Sequence, residues 1–266
     1  MLHSIRLVSP RATALLITLF VLGLGSFATG SKVKSAVYEW NDLEVQRNGS
    51  NEIRRVLSGS TDGFKSLEIY TNSLSVDERA GDVQIDEGIE QLIIIKRGSL
   101  DLKVNGDNRK LGPGSIAIIL PGDEYQIGNA GPISATYFVL QWRIKNSNAP
   151  LDSNASAEMV NWTDVAFEAS EKGGRRNIIR QPTAMLAEFE MHTTTLDEGM
   201  KSHDPHVHVE EEIILVRYGQ VEEMIDGSPH SAGPGSVIFL GSNVPHGIRN
   251  IGDGPCEYYA FKWKLR

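Results

Sequence analysis

The sequence predicts an all-β protein that consists of two tandem copies of one domain. Short apolar runs such as LIII, SIAIIL, EIILV and SVIFL are separated by turn pairs such as Asn105-Gly106 and Asp226-Gly227. This is the pattern of strands joined by tight hairpins. The chain has 26 glycines among 266 residues, which favours a turn-rich fold over a helical bundle. Many short strands at regular spacing predict a sandwich or a barrel.

The first half of the chain is repeated in the second half, with no gap over the strand-rich segments and a one-residue shift upstream of them. QLIIIKRG, DLKVNG and LGPGSIAIIL match EIILVRYG, EEMIDG and AGPGSVIFL at an offset of 121 positions, whereas upstream the offset is 122 and pairs Trp40 with Trp162. A period of this length indicates duplication of a whole domain rather than a solenoid of short units. We therefore expect a first copy over residues 31–145, a polar linker over 146–157, and a second copy over 158–266.

The first residues have the layout of a secretory signal. Arg6 and Arg11 precede an apolar stretch from Ala14 to Leu24, which is followed by small residues. The stretch is shorter than the ~20 residues needed to span a bilayer. We therefore expect removal of residues 1–28 and a periplasmic or secreted protein without stable membrane insertion, the alternative being an uncleaved membrane anchor.

Charge and cysteine content exclude some classes of partner and bond. The formal net charge of −8 argues against a nucleic-acid partner, because phosphates attract a basic surface. Cys256 is the single cysteine, so no intrachain disulfide can form. No dinucleotide loop or phosphate loop is present, since the segment GPGSV lacks the helix that such motifs require.

Two histidines and a carboxylate share one face of a predicted strand in HVHVEEEIILV. Because side chains alternate between the faces of a strand, His206, His208 and Glu212 project the same way as Ile214 and Val216. A face shared with aliphatic residues lies in the interior, where imidazoles and a carboxylate cost free energy unless they are compensated. A divalent metal ion compensates them directly, and this ligand set leaves positions open for water or substrate.

A further histidine offers a fourth ligand. His246 follows a second predicted strand by a short turn, so hairpin pairing can place it beside the first cluster. Glu210 has the same parity as the first carboxylate and is the alternative ligand, but otherwise Glu210 and Glu211 are expected to be solvated rim charges. His203 and His230 are weaker candidates, because one precedes the strand and the other lies in a turn-like segment.

These residues resemble two sequence motifs of the cupin family. The first motif, G-x5-H-x-H-x3,4-E-x6-G, is matched over 199–219 with six residues instead of five before His206. The second motif, G-x5-P-x-G-x2-H-x3-N, is matched at Gly235, His246 and Asn250, although other residues stand at its proline and second glycine. Because both repeats are covered, the resemblance implies a bicupin, which consists of two tandem cupin-type jelly-roll β-barrels.

The resemblance also implies a metal site. It assigns one divalent ion, commonly manganese, iron, zinc or nickel, to His206, His208, Glu212 and His246. The ion is expected in the second copy only, because the first copy contains no histidine.

The corresponding positions of the first copy carry other side chains. They are Ile85, Glu87, Gln91 and Tyr125, or Gln84 and Asp86 in place of the first two. A set without imidazole or thiolate holds at most a weak oxygen-ligated ion. The first copy is therefore expected to be degenerate and retained for packing, or to serve as a lid or wall for access to the second.

The ligand set alone does not select a reaction. Candidate acids and bases on segments that enter the second copy are Glu190, His192 and Tyr258, with Arg180 nearby, and Glu190 and His192 share one strand face. A metal-dependent isomerase, lyase or hydrolase acting on a small oxygenated compound such as a sugar acid is expected. The alternatives are an oxygen-dependent dioxygenase and a non-catalytic small-molecule or sugar binder. A small molecule is the expected partner, and a homo-oligomer is compatible with the sequence.

Overall fold

The computed structural model describes residues 31–49, 51–76, 78, 82–145 and 150–266. The predicted signal segment 1–28 and residues 146–149 of the predicted linker lie outside this part of the chain. Within it, no helix is long and apolar enough to cross a membrane. Regular structure consists of strands and two one-turn 3₁₀ helices, Trp40–Asp42 and Trp162–Asp164. The prediction of an all-β fold is confirmed.

The described residues form 21 strands, numbered in chain order. Those of the first half are β1 (Ala36–Tyr38), β2 (Val45–Asn48), β3 (Asn51–Gly59), β4 (Phe64–Leu74), β5 (Gln84–Ile85), β6 (Glu90–Arg97), β7 (Leu100–Val104), β8 (Asp107–Leu111), β9 (Ile116–Ile119), β10 (Glu124–Asn129) and β11 (Ala135–Ile144). Those of the second half are β12 (Glu158–Val160), β13 (Glu168–Ser170), β14 (Gly173–Gln181), β15 (Leu186–Leu196), β16 (Glu212–Tyr218), β17 (Val221–Ile225), β18 (Ser228–Ala232), β19 (Val237–Leu240), β20 (His246–Asn250) and β21 (Cys256–Leu265).

Each copy contains a seven-stranded antiparallel sheet that packs on a smaller sheet. The strand orders are β12-β9-β6-β11-β4-β3-β2 with β5-β10-β7-β8 in the first copy, and β1-β19-β16-β21-β15-β14-β13 with β18-β17-β20 in the second. Apolar side chains fill the space between the large and small sheets, for example Ile93 and Leu102 in the first copy and Ile214 and Val221 in the second. The even-numbered face of β16 is therefore interior, as its alternation predicts.

The two copies exchange their first strands. Strand β1 pairs with β19 of the second copy, and β12 pairs with β9 of the first. Trp40 and Trp162 follow these strands and pack against Gly235 and Gly114, where a Cβ atom would lie within 2.8 Å of the indole rings. Each large sheet is thus completed by a strand from the other copy. The predicted boundaries 31–145 and 158–266 therefore delimit the repeats in the sequence, not the strands of each sheet.

A single apolar core joins the two large sheets. The rings of Phe64 and Trp263 stack at 4.8 Å, and Trp142 and Phe189 stack at 6.1 Å across the contact. All four side chains are almost completely buried. Burial of each large side chain stabilises the folded chain by roughly 2–3 kcal/mol. The opposite faces of the same strands are left free to line the interior of each copy.

Glu211 joins the two copies through hydrogen bonds. Its carboxylate is buried and accepts hydrogen bonds from Thr61 Oγ1 at 2.7 Å and from the backbone N–H groups of Asp62 at 2.7 Å and Gly63 at 3.2 Å. The prediction that this residue is a solvated rim charge was wrong. Its odd number places it on the face of β16 that meets the other copy, next to a loop that supplies these donors.

Glu90 makes the equivalent contact in the opposite direction. Its carboxylate is fully buried and accepts a hydrogen bond from the backbone N–H of Met185 at 2.8 Å. Burial raises the pKa of Glu90 to about 7, against the effect of the hydrogen bonds from Thr183 and Met185. Each copy therefore places a glutamate in a loop of the other copy, and the two contacts are related by an approximate two-fold symmetry.

We predict that Glu211→Ala lowers the free energy of unfolding by about 2–4 kcal/mol, because two buried donors and one partly buried donor lose their acceptor. Urea unfolding at pH 7 measures the change. Glu210→Ala is the matched control, since the Glu210 carboxylate makes no hydrogen bond to the described residues, and it should change the value by less than about 0.5 kcal/mol. Equal effects of the two substitutions would contradict the role given to Glu211.

Candidate metal centre

Three histidines of the second copy converge. The ligating nitrogens of His206, His208 and His246 all lie within 4.8 Å of one another. The backbones of His206 and His246 form an isolated β-bridge, in which each N–H donates to the other carbonyl at 3.0 Å. The bridge places the loop that precedes β16 beside the start of β20. His246 thus lies beside the first cluster as expected, but through this bridge rather than through hairpin pairing, because β20 pairs with β17.

Glu212 lies against two of these histidines. Its Oε2 atom is 3.1 Å from His208 Nε2 and 3.4 Å from His246 Nε2. Two donor atoms that each lie ~2.1 Å from one ion at right angles are about 3.0 Å apart. The structure therefore brings the four predicted ligands together at spacings that suit a shared ion, and their role as ligands remains a prediction.

Backbone carbonyls orient two of the imidazoles. His208 Nδ1 lies 2.8 Å from the carbonyl of Glu210, and His246 Nδ1 lies 2.8 Å from that of Val244. Because a carbonyl only accepts hydrogen bonds, Nδ1 carries the proton in both rings and Nε2 presents a lone pair. The buried Nε2 of His246 has no hydrogen-bond partner. Lone pairs that face the Glu212 carboxylate require a cation or a shared proton, so the donor set fits a metal ion.

The charges of these groups are coupled. Burial alone would raise the pKa of Glu212, but the adjacent rings of His208 and His246, when they carry a proton on Nε2, lower it to about 2. The hydrogen bond with Glu212 raises the pKa of His208. Burial and the neighbouring imidazoles, His203 first among them, lower the pKa of His206. At neutral pH the carboxylate is therefore ionised and can act as a ligand without losing a proton.

Two of the predicted acid–base residues, Glu190 and His192, lie on the same sheet face as Glu212. Strand β21 runs between β15 and β16, and its Lys262 is paired with Glu212 on one side and with Glu190 on the other. His192 lies one step further along β15, and its buried Nδ1 has no hydrogen-bond partner. Burial and the charge of Arg175 lower the pKa of His192 to about 4, so its ring is neutral at pH 7.

The other predicted residues lie elsewhere. Tyr258 is buried opposite Val216, four residues along the sheet from the ligand row, and hydrogen-bonds to the side chains of Ser202 and Thr194. The copy without histidines retains an equivalent tyrosine, which favours a structural role. Arg180 is on the surface, where it pairs with Glu188 at 3.2 Å.

Two polar residues of the interior were missed from the sequence. Lys262 is half-buried, and no carboxylate of the described residues forms an ion pair with it. Glu223 projects from β17 into the interior with Val221 and Ile225, is fully buried, and has no hydrogen-bond partner at either carboxylate oxygen. Burial and the charge of Glu212 raise the pKa of Glu223 to about 8, so it is protonated at neutral pH. Both residues can be found by comparing the two repeats, because the first copy has Gln141 in place of Lys262 and Leu102 in place of Glu223.

The first copy contains a hydrogen-bonded network at the equivalent place. Gln84 pairs with Tyr125 in the same way as His206 pairs with His246, which selects Gln84 and Asp86 over Ile85 and Glu87. The Tyr125 hydroxyl lies 3.0 Å from both Gln84 Oε1 and Asp86 Oδ2, and the side-chain amide of Gln91 donates to Asp86 at 2.7 Å. These polar groups satisfy one another.

Comparison with known proteins identifies the fold of this chain. Residues 192–262 match the family model of the cupin domain, Cupin_2. The fold is the cupin fold. Similar solved structures are protein YlbA from E. coli (19% identity, 88% of this chain and 92% of that chain, TM-score 0.67) and a protein from Pseudomonas aeruginosa described as glyoxylate-induced (17%, 89% and 91%, 0.69). A single-residue mutant of oxalate decarboxylase from Bacillus subtilis is also similar (12%, 90% and 79%, 0.67).

The similarities establish the fold of this chain. None of the curated proteins is significantly similar to this sequence. The solved cupin structures share less than 20% of their residues with this chain, so they show the fold alone. The matched cupin domain nevertheless contains all four predicted ligands.

We predict that Glu223→Leu stabilises the metal-free protein, because Leu102 occupies this position in the first copy and a buried carboxyl without partners is removed. The pKa of Glu223 is raised in the folded state, so its contribution to stability is present below pH 4.5 and is lost as the pH rises through about 8. The stability difference between variant and wild type should therefore grow by on the order of 1–3 kcal/mol from pH 5.5 to 8.5.

Urea unfolding in the presence of EDTA measures this difference. Glu222→Leu is the control, since Glu222 pairs with Arg249 at 2.8 Å on the other face of β17. If the difference in unfolding free energy between Glu223→Leu and the wild type does not change with pH, Glu223 is ionised in the folded protein.

Proposed function

We propose that this protein is an exported bicupin, built as two tandem jelly-roll β-barrels, with one divalent metal ion in the second copy. We further propose that it is a metal-dependent enzyme of the lyase, isomerase or hydrolase type that acts on a small organic acid. The observation that carries the proposal is that the interiors of the two copies differ in their polar side chains, and that the charged side chains of the second copy surround the histidine cluster.

The two copies have the same strands but different polar side chains in their interiors. In the second copy these are the four ligands, Lys262 and Glu223. The equivalent residues of the first copy are Gln84, Asp86, Gln91, Tyr125, Gln141 and Leu102. The set of the first copy contains one carboxylate, Asp86, which accepts hydrogen bonds from its neighbours, so packing alone does not require the charged set of the second copy. The charged and unpartnered set of the second copy is costly to bury, and such a cost is typical of a functional site.

The side chains around the proposed ion have complementary charges and protonation states. When bound, a divalent ion polarises a carbonyl or carboxylate oxygen. Lys262 provides a cation without an internal partner and can hold the carboxylate of a substrate. In the metal-free protein burial and the charge of Glu212 raise the pKa of Glu223 to about 8, so its carboxyl can donate a proton, whereas burial lowers the pKa of His192 to about 4, so its ring can accept a hydrogen bond. An acid and a base with pKa values shifted apart favour catalysis over simple binding.

Two further observations support the substrate class and the location. Names of the similar structures refer to oxalate and glyoxylate, which are small carboxylic acids, and Lys262 suits such a ligand in this chain. Export rests on the arginines and the apolar stretch of residues 1–28.

We predict that the purified protein binds one divalent ion per chain and that His206→Ala or His246→Ala abolishes this binding, because each removes an imidazole from a set of four ligands. Elemental analysis after reconstitution with manganese, iron, zinc or nickel measures the stoichiometry. His230→Ala is the control and should retain the metal, since His230 is exposed on β18. A protein that binds none of these ions would refute the proposed metal site.

We predict that Lys262→Gln, which places the residue of the first copy in the second, lowers kcat/KM by about 10- to 100-fold without loss of metal. The assay follows a panel of small hydroxy, oxo and dicarboxylic acids by proton NMR with the metal-loaded protein. Lys264→Gln, at an exposed lysine of the same strand, should have little effect. Turnover that consumes oxygen would indicate a dioxygenase instead, and no turnover of any acid would indicate a binding protein.

A further inference from the structure

A second polar cleft lies on the first copy. It has a volume of about 440 Å³ and is lined by Trp40, Glu52, Arg54, Thr71, Ser73, Lys96, Arg97 and Thr136. The cleft is on the face of the large sheet that meets the other copy, beyond the aromatic core. None of its lining residues belongs to the histidine cluster, so it is a separate feature of the protein.

Two cations lie in this cleft against one indole ring. The Arg54 guanidinium is 4.5 Å from the Trp40 ring centre, and Lys96 Nζ is 4.7 Å from it. Burial and the charge of Arg54 lower the pKa of Lys96. Glu52 lies 3.6 Å from Arg54, but Lys96 forms no ion pair with the described residues. The ammonium group is therefore partly desolvated, is repelled by a like charge, and has no counter-ion in the part of the chain that the structure describes.

The repeat supplies a counter-ion at this place only in the second copy. Arg217 is the counterpart of Lys96, and it lies 3.8 Å from the Trp162 ring centre. Its guanidinium forms an ion pair with the buried carboxylate of Glu257. The counterpart of Glu257 in the first copy is Thr136. In the second copy a buried carboxylate therefore pairs with the cation at this position, whereas in the first copy the carboxylate of the cleft, Glu52, contacts Arg54 and leaves Lys96 without an acidic partner among the described residues.

The space itself is also filled in the second copy. Phe167 packs so closely on Gly174 that a Cβ atom there would lie 2.2 Å from the ring. The first copy has Val45 and Glu52 at these two positions. The first copy thus lacks the aromatic ring that lies 5.2 Å from the equivalent arginine, Arg176, in the second copy, and the Glu52 side chain lines the cleft instead.

We infer that this cleft binds a small organic anion, whose carboxylate or phosphate group occupies the position taken by the Glu257 carboxylate in the second copy. The anion pairs with Lys96 and Arg54, and the hydroxyl of Thr136 can donate a hydrogen bond to it. Binding relieves the repulsion between two cations held on one ring. This site extends the role of the first copy beyond packing and is independent of the proposed metal centre.

Isothermal titration of the full chain with malonate and with inorganic phosphate tests the inference. The His206→Ala variant is used beside the wild type, because carboxylates and phosphate also bind metal ions. Saturable binding of one anion per chain is expected below about 10 mM in both proteins. Stronger binding of malonate or of phosphate distinguishes a carboxylate from a phosphate ligand.

Two variants then locate the binding. Lys96→Met removes the cation, and Thr136→Glu supplies the internal carboxylate of the second copy, so each should weaken binding by about ten-fold or more. Lys103→Met, at an exposed lysine of β7, should leave the affinity unchanged. Absence of saturable binding of both anions overturns the inference, and so does binding that persists unchanged in both variants.

Discussion

The proposed metal site of the second copy depends on one constraint, which is the negative charge of the Glu212 carboxylate in the interior. Two imidazole nitrogens present their lone pairs to a carboxylate that is almost completely removed from water, and neither group can turn away. Backbone carbonyls hold the rings of His208 and His246, and strand pairing holds Glu212. Such an arrangement is stable only when a positive charge is shared among the three groups, either as a proton or as a metal ion. The first copy meets the same geometric constraint with an amide, a phenol and one acid that hydrogen-bond to one another.

The contact between the copies makes this arrangement rigid. Glutamates at equivalent positions each reach into a loop of the other copy, exchanged edge strands complete both large sheets, and one aromatic core lies between them. Glu211 immediately precedes the ligand Glu212 and faces the opposite way. The residue that joins the copies and the residue that is proposed to bind the metal are therefore positioned by the same strand, so loss of the contact would disturb the ligands.

The sequence predicts much of this structure because alternation and repetition are local signals. Alternation correctly places Glu212, Ile214 and Val216 on one interior face, and the turn before His246 predicts its proximity. The extension of this strand back to His206 and His208 was wrong, because both histidines lie in the loop before β16, and the bridge between His206 and His246 brings them to the site instead. Cross-strand neighbours are not visible in a single strand, so Lys262 and Glu223 were missed, although each differs from its counterpart in the other repeat. Glu211 was misjudged because charge alone does not reveal a buried loop with three donors. The exchange of β1 and β12 depends on how the copies pack and has no signal within either segment.

The most direct test of this account is anomalous diffraction from crystals of the metal-reconstituted protein, measured above and below the absorption edge of the added metal. The account predicts one anomalous peak per chain, within bonding distance of His206, His208, Glu212 and His246, and no peak beside Gln91 and Tyr125 of the first copy. A peak in the first copy, or the absence of a peak between the three histidines, would contradict it.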